Sequence, residues 1–391
     1  MTGSVLAPLR IGIVAAEPSG DLLAAGLMDA LREQLPEVRF EGVAGPLMRA
    51  SGIDEWAAMD SLSVMGLFEV LRHLPRLLRL RSRLLARWRD TPPAAFIGVD
   101  APDFNLALEC RLRAAGVPTV HYVSPTVWAW RVGRVKKIRQ AVDLLLTIFP
   151  FEPEFLARYR VPARYVGHPL AAEMPMQSDR AGARAALGLD PAGPVLALLP
   201  GSRGGEVGRL SRPFLETAAA LCRQLPDLQI VVPLVNERTR AMFETQLRRT
   251  APDLEVVVRV GASRAALAAA DVALIASGTA TLEGLLSKCP MVIGYKLHWA
   301  TYVVLRLFRL VKVKHVAMAN LLADERLAPE LIQGRCEPEY LLPPLLEFFG
   351  DAGLRHRIAE RYRQVHDELR TDSNREAAAA VMTLLRERGI A

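Results

Sequence analysis

Two apolar runs in the second half of the chain end in small and hydroxyl residues that could hold a phosphate group. One is Val272–Ala276, which continues as Ser277-Gly278-Thr279-Ala-Thr-Leu-Glu283. A strand that stops here and restarts as a helix leaves backbone N–H groups free, and the helix dipole favours an anion beside them. Glu283 follows about one turn later, where a carboxylate can accept from ribose hydroxyls. An ordinary strand-to-helix loop with a capped helix would give the same pattern.

The other run, Val195–Leu199, continues as Pro200-Gly-Ser202-Arg203-Gly-Gly-Glu206. Arginine is always charged and binds phosphate oxygens bidentately, although a tight turn with a solvated arginine is the alternative. The loop is not a Walker A motif, because no Gly-Lys-Ser/Thr closes it. On one parallel sheet, both loops would converge on one diphosphate at the carboxyl edge. The predicted nucleotide and diphosphate residues are Ser202, Arg203, Glu206, Ser277, Gly278, Thr279 and Glu283.

A third candidate is acidic. The segment Val99-Asp100-Ala-Pro-Asp103-Phe-Asn105 ends a buried-strand pattern with two carboxylates. Asp100 is placed to accept a proton from an attacking hydroxyl, whereas Asp103 is expected to cap the next helix. In the alternative interpretation both are helix caps.

These residues need elements that carry them. The first half alternates strand patterns, near 11–16, 95–100, 119–123 and 144–149, with helical patterns such as 22–35. The second half alternates again, with strands near 195–199, 229–233, 255–260, 272–276 and 291–294. Such alternation predicts an α/β fold with parallel sheets covered on both faces. We therefore expect two such domains facing a cleft and a helical tail from about residue 350.

The composition of the chain limits the number of domains and the class of protein that it can form. The chain has 391 residues, enough for two domains, and its 51% hydrophobic and 23% charged residues are typical of a packed globular protein. No long uncharged apolar run predicts a membrane span, and the N-terminus lacks a signal-peptide pattern. The four cysteines are widely spaced, as expected of core residues in a reducing cytosol. No metal-ligand cluster is visible.

The net charge of +7 suggests an acidic partner: nucleic acid, an anionic membrane face or a phosphorylated ligand. Residues 67–90 place Leu74, Leu77, Leu78, Leu84, Leu85 and Trp88 on one helical face and Arg72, Arg76, Arg79, Arg83 and Arg87 on another. This pattern is typical of an interfacial membrane helix, although a helix packed on its own domain would look similar. Residues 305–314 form a second basic and apolar segment.

Several motifs together resemble a known family. They are Ala16-Glu17-Pro18-Ser19-Gly20-Asp21, residues 99–105, Tyr122-Val-Ser-Pro-Thr-Val-Trp-Ala-Trp130, Leu199–Gly204 with Glu206-Val207, Ala276–Ala280, Lys288–Val292 and Asn320-Leu-Leu. In the same order, from about residue 10 to 340, they are similar to the lipid-A-disaccharide synthase family. Ala16, Pro18 and Gly205 depart from the family's usual residues, but they lie beside the charged positions.

The resemblance implies a GT-B glycosyltransferase of two Rossmann-like domains, 1–172 for the acceptor and membrane and 173–350 for the UDP-sugar, with 351–391 packing back across both. It implies an inverting, metal-independent transfer without a cofactor, in the cytoplasm at the inner face of the inner membrane. UDP-2,3-diacylglucosamine would react with 2,3-diacylglucosamine 1-phosphate (lipid X) to give a β-1,6 disaccharide phosphate and UDP. Asp100 would be the base, and the acceptor side or cleft would include Glu17, Ser19, Asp21 and Asn320.

Some alternatives stay open. An undecaprenol-linked glycosyltransferase or a UDP-sugar 2-epimerase could share the fold and the diphosphate site. A nucleic-acid-binding protein is disfavoured, because the basic residues cluster with aliphatic residues and not with stacking aromatics. Residues 122–130 could be cleft wall or core. The sequence leaves the oligomeric state open, a homodimer among the options.

Overall fold

The structure is a computed structural model that describes residues 8–62, 67–128, 132–297 and 315–391. The chain divides into two compact units. The N-terminal unit comprises residues up to 172 together with Leu369–Ala391, and the C-terminal unit comprises Glu173–Glu368.

The strands follow the predicted alternation and lie in two parallel sheets. In chain order they are β1 (Arg10–Ala15), β2 (Arg39–Ala44), β3 (Asp54–Ala58), β4 (Ala95–Val99), β5 (Thr119–Tyr122), β6 (Leu144–Thr147), β7 (Ala163–Tyr165), β8 (Val195–Leu199), β9 (Gln229–Leu234), β10 (Val257–Val260), β11 (Val272–Ala276), β12 (Met291–Tyr295) and β13 (Glu330–Ile332). The sheet of the N-terminal unit has the order β3-β2-β1-β4-β5-β6-β7, and that of the C-terminal unit β10-β9-β8-β11-β12-β13. The predicted class of two parallel-sheet units is confirmed.

The α-helices within the described residues flank the sheets. They are α1 (Pro18–Gln34), α2 (Pro46–Ala50), α3 (Leu67–Asp90), α4 (Pro102–Ala114), α5 (Val135–Ala141), α6 (Glu152–Ala157), α7 (Pro169–Glu173), α8 (Arg180–Leu187), α9 (Gly204–Cys222), α10 (Glu237–Thr250), α11 (Ser263–Ala269), α12 (Ala280–Leu286), α13 (Met318–Ala323), α14 (Pro338–Gly350), α15 (Ala352–Leu369) and α16 (Ser373–Glu387). Short 3₁₀ helices span Met59–Ser61, Val132–Arg134 and Gln333–Arg335. In these described stretches, no helix combines the length and hydropathy needed to cross a membrane.

The central strand β1 shows why the N-terminal sheet needs helices on both faces. Ile11, Ile13 and Ala15 point into one core with α1 and α16, while Val14 points into the opposite core with α3 and α4. Alternate residues of one strand are thus buried on opposite sides, as expected of a covered parallel sheet.

The C-terminal half of α3 belongs to that second core. Trp88 is completely buried, and its ring packs edge-on against Phe96 with ring centroids 5.0 Å apart. Its indole Nε1 donates to Glu41 Oε1 over 3.0 Å. Gly12 of β1 leaves the space for this ring, because a Cβ there would lie 2.9 Å from it.

The prediction that this whole apolar face meets the membrane is therefore wrong for Leu84, Leu85 and Trp88. All three are buried against the sheet of their own unit, where burial of a large apolar side chain contributes about 1.5–3 kcal/mol to stability. Leu77 packs partly on the same core. Among the side chains of α3 that the structure describes, Leu74 and Leu78, each 41% exposed, remain available. The second candidate segment, 305–314, lies outside the described residues.

The edges of the sheets follow from strand register. In the N-terminal sheet, Val99 of β4 pairs with Ala15 of β1 and with Tyr122 of β5. In the C-terminal sheet, Ile275 of β11 pairs with Leu199 of β8. The strands are parallel, so the loops that follow them leave each sheet side by side. These two loop groups contain most of the predicted site residues.

Candidate half-sites at the carboxyl edges

The loop after β4 presents Asp100 in an unusual backbone conformation. Asp100 and Ala101 have φ angles of 51° and 41°, in the left-handed region that non-glycine residues rarely adopt. The Asp100 N–H donates to the carbonyl of Tyr122 over 2.8 Å, which ties the turn to β5. The residue remains partly exposed, so its carboxylate can meet a ligand.

Asp103 does not cap the helix, contrary to the prediction. The N-cap of α4 is Ala101, and no side chain caps it. Asp103 lies in the first helical turn, where its carboxylate pairs with Arg134 and is 80% exposed. Pro102 explains the difference, since proline fits the first position of a helix and moves Asp103 inward by one residue.

Glu17, at the N-cap of α1, and Ser19, in its first turn, lie at the same edge as Asp100, and both are exposed. Asp21 behaves differently from the acceptor-side residue that was predicted. Its side chain is buried, and its two oxygens accept from the N–H groups of Gly45, Leu47 and Met48 over 2.9–3.1 Å. Asp21 is therefore the cap that starts α2, and its acceptor capacity serves the fold.

The segment 122–128 is mainly core. Tyr122 is completely buried, and burial raises its pKa well above the usual range. Val127 is buried as well, and the half-buried Trp128 donates from Nε1 to Glu152 over 3.2 Å. Residues 129–131 lie outside the described residues.

In the C-terminal unit, a carboxylate of the protein itself accepts hydrogen bonds from the backbone of the loop after β8. Oε2 of Glu206 accepts from the N–H groups of Ser202 and Arg203 over 3.1 and 3.3 Å. The Glu206 carboxylate, which was predicted to belong to the diphosphate site, fixes this loop from the first turn of α9. The Arg203 side chain is 85% exposed and lies 3.7 Å from Glu206. Its guanidinium therefore projects from a loop whose backbone is held in place.

The neighbouring loop after β11 is open. Gly278 has φ = 152°, and a Cβ there would meet nothing within 4 Å. Gly278 and Thr279 are exposed, while Ser277 is half-buried. Thr281 lies behind them, where its hydroxyl donates to the Gly278 carbonyl over 2.7 Å and accepts from Met318 N–H over 3.2 Å.

Glu283 lies on the helix that leaves this loop. Its carboxylate is 19% exposed and 3.9 Å from Arg264 Nε. Its side chain thus retains some solvent-exposed surface near the open loop.

Asn320 was predicted to lie in the cleft, and the structure gives it another role. The residue is completely buried. Its amide nitrogen donates to Ala328 O and Glu330 Oε1 over 2.7 and 3.0 Å, and its oxygen accepts from Ala328 N–H over 2.8 Å. All of its hydrogen-bonding groups are used in holding α13 to the chain before β13. This interior role replaces the predicted one.

Sequence reasoning missed two buried carboxylates in the N-terminal unit, Glu109 and Glu152. Glu109 pairs with His121, and both side chains have no exposed surface. Glu152 accepts from Trp128 and from Phe149 N–H, and burial raises its pKa to about 7. A usable signal existed: Glu109 lies on the apolar face of α4, and His121 interrupts an apolar strand.

Comparison with known proteins agrees with the resemblance seen in the motifs. A family model described as lipid-A-disaccharide synthetase matches residues 11–383. Lipid-A-disaccharide synthase of Escherichia coli (strain SMS-3-5 / SECEC) is 48% identical over 377 residues, covering 96% of this chain and 98% of that protein. The Pectobacterium carotovorum enzyme of the same name is 48% identical over 381 residues, covering 97% and 99%.

Solved structures share the fold at low identity. The S. aureus MnaA–UDP co-structure has a TM-score of 0.63 at 12% identity and covers 98% of both chains. The UDP-GlcNAc 2-epimerase from Neisseria meningitidis bound to UDP-GlcNAc has a TM-score of 0.60 at 10% identity, covering 97% of this chain and 99% of that one. These likenesses support the GT-B fold alone. Sequence identity across almost the whole length decides the family: the chain belongs to the lipid-A-disaccharide synthase family.

Proposed function

We propose that this protein joins UDP-2,3-diacylglucosamine to 2,3-diacylglucosamine 1-phosphate and releases UDP. The observation that carries the proposal is the 48% identity over 96% of the chain to an enzyme named for this activity. The loops at the two carboxyl edges supply residue types that suit the two halves of such a reaction. One edge offers a carboxylate, and the other offers a cation with backbone amides.

Asp100 is the proposed general base. The 6-hydroxyl oxygen of the acceptor attacks the anomeric carbon of the donor, its proton passes to Asp100, and the bond from that carbon to the diphosphate oxygen breaks. The bonding electrons leave with UDP, and attack from the opposite side inverts the anomeric centre to give a β-1,6 linkage. A diphosphate is a good leaving group, so one carboxylate and a cationic clamp suffice.

The donor half-site is proposed at the loops after β8 and β11. Arg203 supplies an exposed positive charge. The exposed backbone at Gly278 and Thr279, beside Ser277, leaves room for phosphate oxygens to approach closely. Ser202 contributes through its exposed hydroxyl. Glu283 is proposed to bind the ribose hydroxyls. Glu206 supports this site indirectly by fixing the loop that carries Arg203.

Glu17 and Ser19 are the proposed acceptor-side contacts. Both are exposed at the start of α1, beside Asp100, which would place polar groups near the hydroxyl that must be deprotonated.

Association with the cytoplasmic face of the inner membrane is proposed through the exposed part of α3. Leu74 and Leu78 are solvent-facing leucines, and Arg76, Arg79 and Arg83 are exposed on the same helix. Each arginine near an anionic surface contributes about 1 kcal/mol. Acyl substrates reside in the bilayer, so such a contact brings the acceptor unit to them.

The membrane contact can be tested with anionic vesicles. The double variant Leu74→Ser/Leu78→Ser should bind vesicles several-fold more weakly while keeping its thermal stability. Val235→Ser is a matched control, because Val235 is 56% exposed in the other unit. High salt should weaken but not abolish wild-type binding, since it screens only the charge component. Unchanged binding of the double variant would contradict the proposed contact.

The function itself is tested by incubating the purified protein with both lipid substrates in detergent. We expect the disaccharide phosphate and UDP in equal amounts, and neither product when the acceptor is left out. The fold shared with UDP-GlcNAc 2-epimerases makes epimerisation the second candidate. UDP release or sugar conversion without the acceptor would favour that candidate and contradict the transferase.

A further inference from the structure

The turn that carries Asp100 requires an internal support. Two consecutive non-glycine residues, Asp100 and Ala101, are left-handed, a strained backbone conformation for such residues. A turn of this kind persists only when surrounding contacts fix it. The contacts that do so lie beneath it, in a buried group of polar side chains.

Asn105 is the first of these side chains. It is completely buried one turn into α4. Its amide nitrogen donates to the Asp100 carbonyl over 2.9 Å and lies 3.3 and 3.4 Å from the carbonyls of Val99 and Val14. One side chain thus joins the strained turn to β4 and β1.

Glu109 and His121 form the second layer, one helical turn below Asn105. Glu109 Oε1 and His121 Nδ1 lie 2.7 Å apart, and neither side chain is exposed. The pair spans from α4 to β5, and Gly98 of β4 makes this possible, because a Cβ there would overlap the Glu109 carboxylate. Burial is the main influence on this carboxyl and raises its pKa.

A buried ionisable pair contributes less to the stability of helix–sheet packing than apolar side chains can. Burying ionisable groups costs several kcal/mol, and apolar residues of similar volume often stabilise a fold as well or better. Glu109 Oε2 and His121 Nε2 even lack a hydrogen-bond partner within the described residues. A hydrogen-bonded pair constrains the relative position of a helix and a strand more narrowly than apolar contacts do. Such a pair is therefore expected where the position of the helix matters more than the stability that it contributes.

We propose that Asn105 is a positioning residue for Asp100 and that the Glu109–His121 pair fixes Asn105 in place. Asn105 sets the direction of the Asp100 carboxylate through the backbone of the turn. The pair prevents α4 from sliding along the sheet, which would withdraw the Asn105 amide. The inference rests on the proposed function, in which Asp100 is the base.

A double-mutant cycle tests this. Asn105→Ala should lower kcat about 10–100-fold, since displacements near 1 Å in reacting groups cost about that much, while UDP affinity stays within twofold. In an Asp100→Asn background, the same substitution should cost less than threefold, because no base is left to misplace. Equal losses in both backgrounds would show a general structural defect and overturn the inference.

If Asn105→Ala folds poorly, a second double-mutant cycle, which combines substitutions of Glu109 and Asp100, tests the same inference. Glu109→Ala should lower kcat at least fivefold, again only when Asp100 is present. Glu109→Gln preserves the shape and can hydrogen-bond His121, so it should restore kcat to within threefold of wild type. A Gln variant as slow as the Ala variant would contradict positioning by this contact.

Thr119→Val is the matched control. Thr119 is also completely buried on β5, and its hydroxyl donates to Ala141 O over 2.8 Å, but it lies at the end of the strand away from Asp100. This variant should lose stability while retaining kcat. The two hypotheses fail separately: an active Asp100→Asn enzyme contradicts the base, whereas an inactive one beside a fully active Asn105→Ala enzyme contradicts only the positioning.

Discussion

Two loops that follow buried strands at the carboxyl edge of a sheet are built in opposite ways. The loop after β4 carries Asp100 in a left-handed turn that the fully buried Asn105 holds from below. The loop after β8 carries Arg203 on a backbone that Glu206 holds from the side, and the Arg203 side chain is 85% exposed. The first loop is held from the protein interior, and the second is held at its own first helical turn while its arginine side chain extends into solvent.

The difference follows from what each loop is proposed to do. Proton transfer requires hydrogen-bond geometry, with heavy atoms about 2.6–3.2 Å apart. Attraction between an arginine and a diphosphate falls off slowly with distance, so a flexible side chain can reach and follow its ligand. The exact position of the functional group is therefore expected to matter more at the base than at the cation. Substitutions in the two loops should differ in the kinetic constant that they change.

The largest expected effect is at the loop after β4. Asp100→Asn should lower kcat about 10²–10⁴-fold, as expected when a general base is lost. Asp103→Asn is a natural control, because this carboxylate lies three residues away, is 80% exposed and pairs at the surface with Arg134. Initial rates of disaccharide formation for both variants measure the contrast. An Asp100→Asn enzyme within threefold of wild type would remove Asp100 from the mechanism.

The loop after β8 should give a smaller effect of another kind. Arg203→Ala should weaken UDP binding about 10–100-fold, since a hydrogen bond to a charged group contributes about 1.5–3 kcal/mol, and kcat/KM should fall with it. Calorimetric titration with UDP measures the affinity. Arg212→Ala is the matched control, because Arg212 is exposed and paired with Glu216 on α9. Equal affinities in the Arg203 and Arg212 variants would argue against the proposed donor site.

A third substitution sharpens the comparison by removing the contact that holds the loop after β8. Glu206→Ala removes the acceptor for two backbone N–H groups, so Arg203 should lose its anchorage and UDP affinity should fall about 3–10-fold. If Glu206 instead competed with the diphosphate for those amides, affinity would rise. The direction of the change in Kd therefore separates support from competition.

The smallest effect on activity, with a clear effect on stability, is expected at Glu152. This carboxyl also holds a loop, but it is buried and its pKa is about 7. The native state keeps its proton up to that pH, while the unfolded chain loses it near 4.5, so wild-type stability should fall as pH rises through this window. Relative to Glu152→Gln, which cannot titrate, the loss should amount to roughly 3 kcal/mol. A stability difference independent of pH would mean that Glu152 ionises normally.

The sequence predicted the elements better than the roles of single side chains. Strands such as Val195–Leu199 and Val272–Ala276 are continuous apolar runs, a pattern that needs no knowledge of the rest of the fold. The first helix was expected from residue 22, but it begins at Pro18. That shift of four residues turns Asp21 from a loop residue into a buried cap.

The helix α3 shows a different limit. An arginine-rich amphipathic helix has the same periodicity whether its apolar face meets lipid or its own sheet. Contacts that are distant in sequence determine that Trp88 is buried in its own unit: Glu41 accepts from its indole, and Gly12 leaves space for its ring. Neither contact is visible in the local pattern, and the same is true of the partners that bury Asn320. The exposed loop positions of Arg203 and Gly278, which depend on local geometry, follow directly from the sequence pattern, whereas their proposed contacts with a nucleotide stay a prediction.

The central claim is that catalysis and nucleotide binding are divided between the two loops, and UDP titration of three proteins tests it most directly. These are Asp100→Asn, Arg203→Ala and the double variant. The account predicts that Asp100→Asn binds UDP within twofold of wild type and that the double variant matches Arg203→Ala alone. A tenfold loss of UDP affinity in Asp100→Asn would contradict the division, because it would place that carboxylate in the nucleotide site.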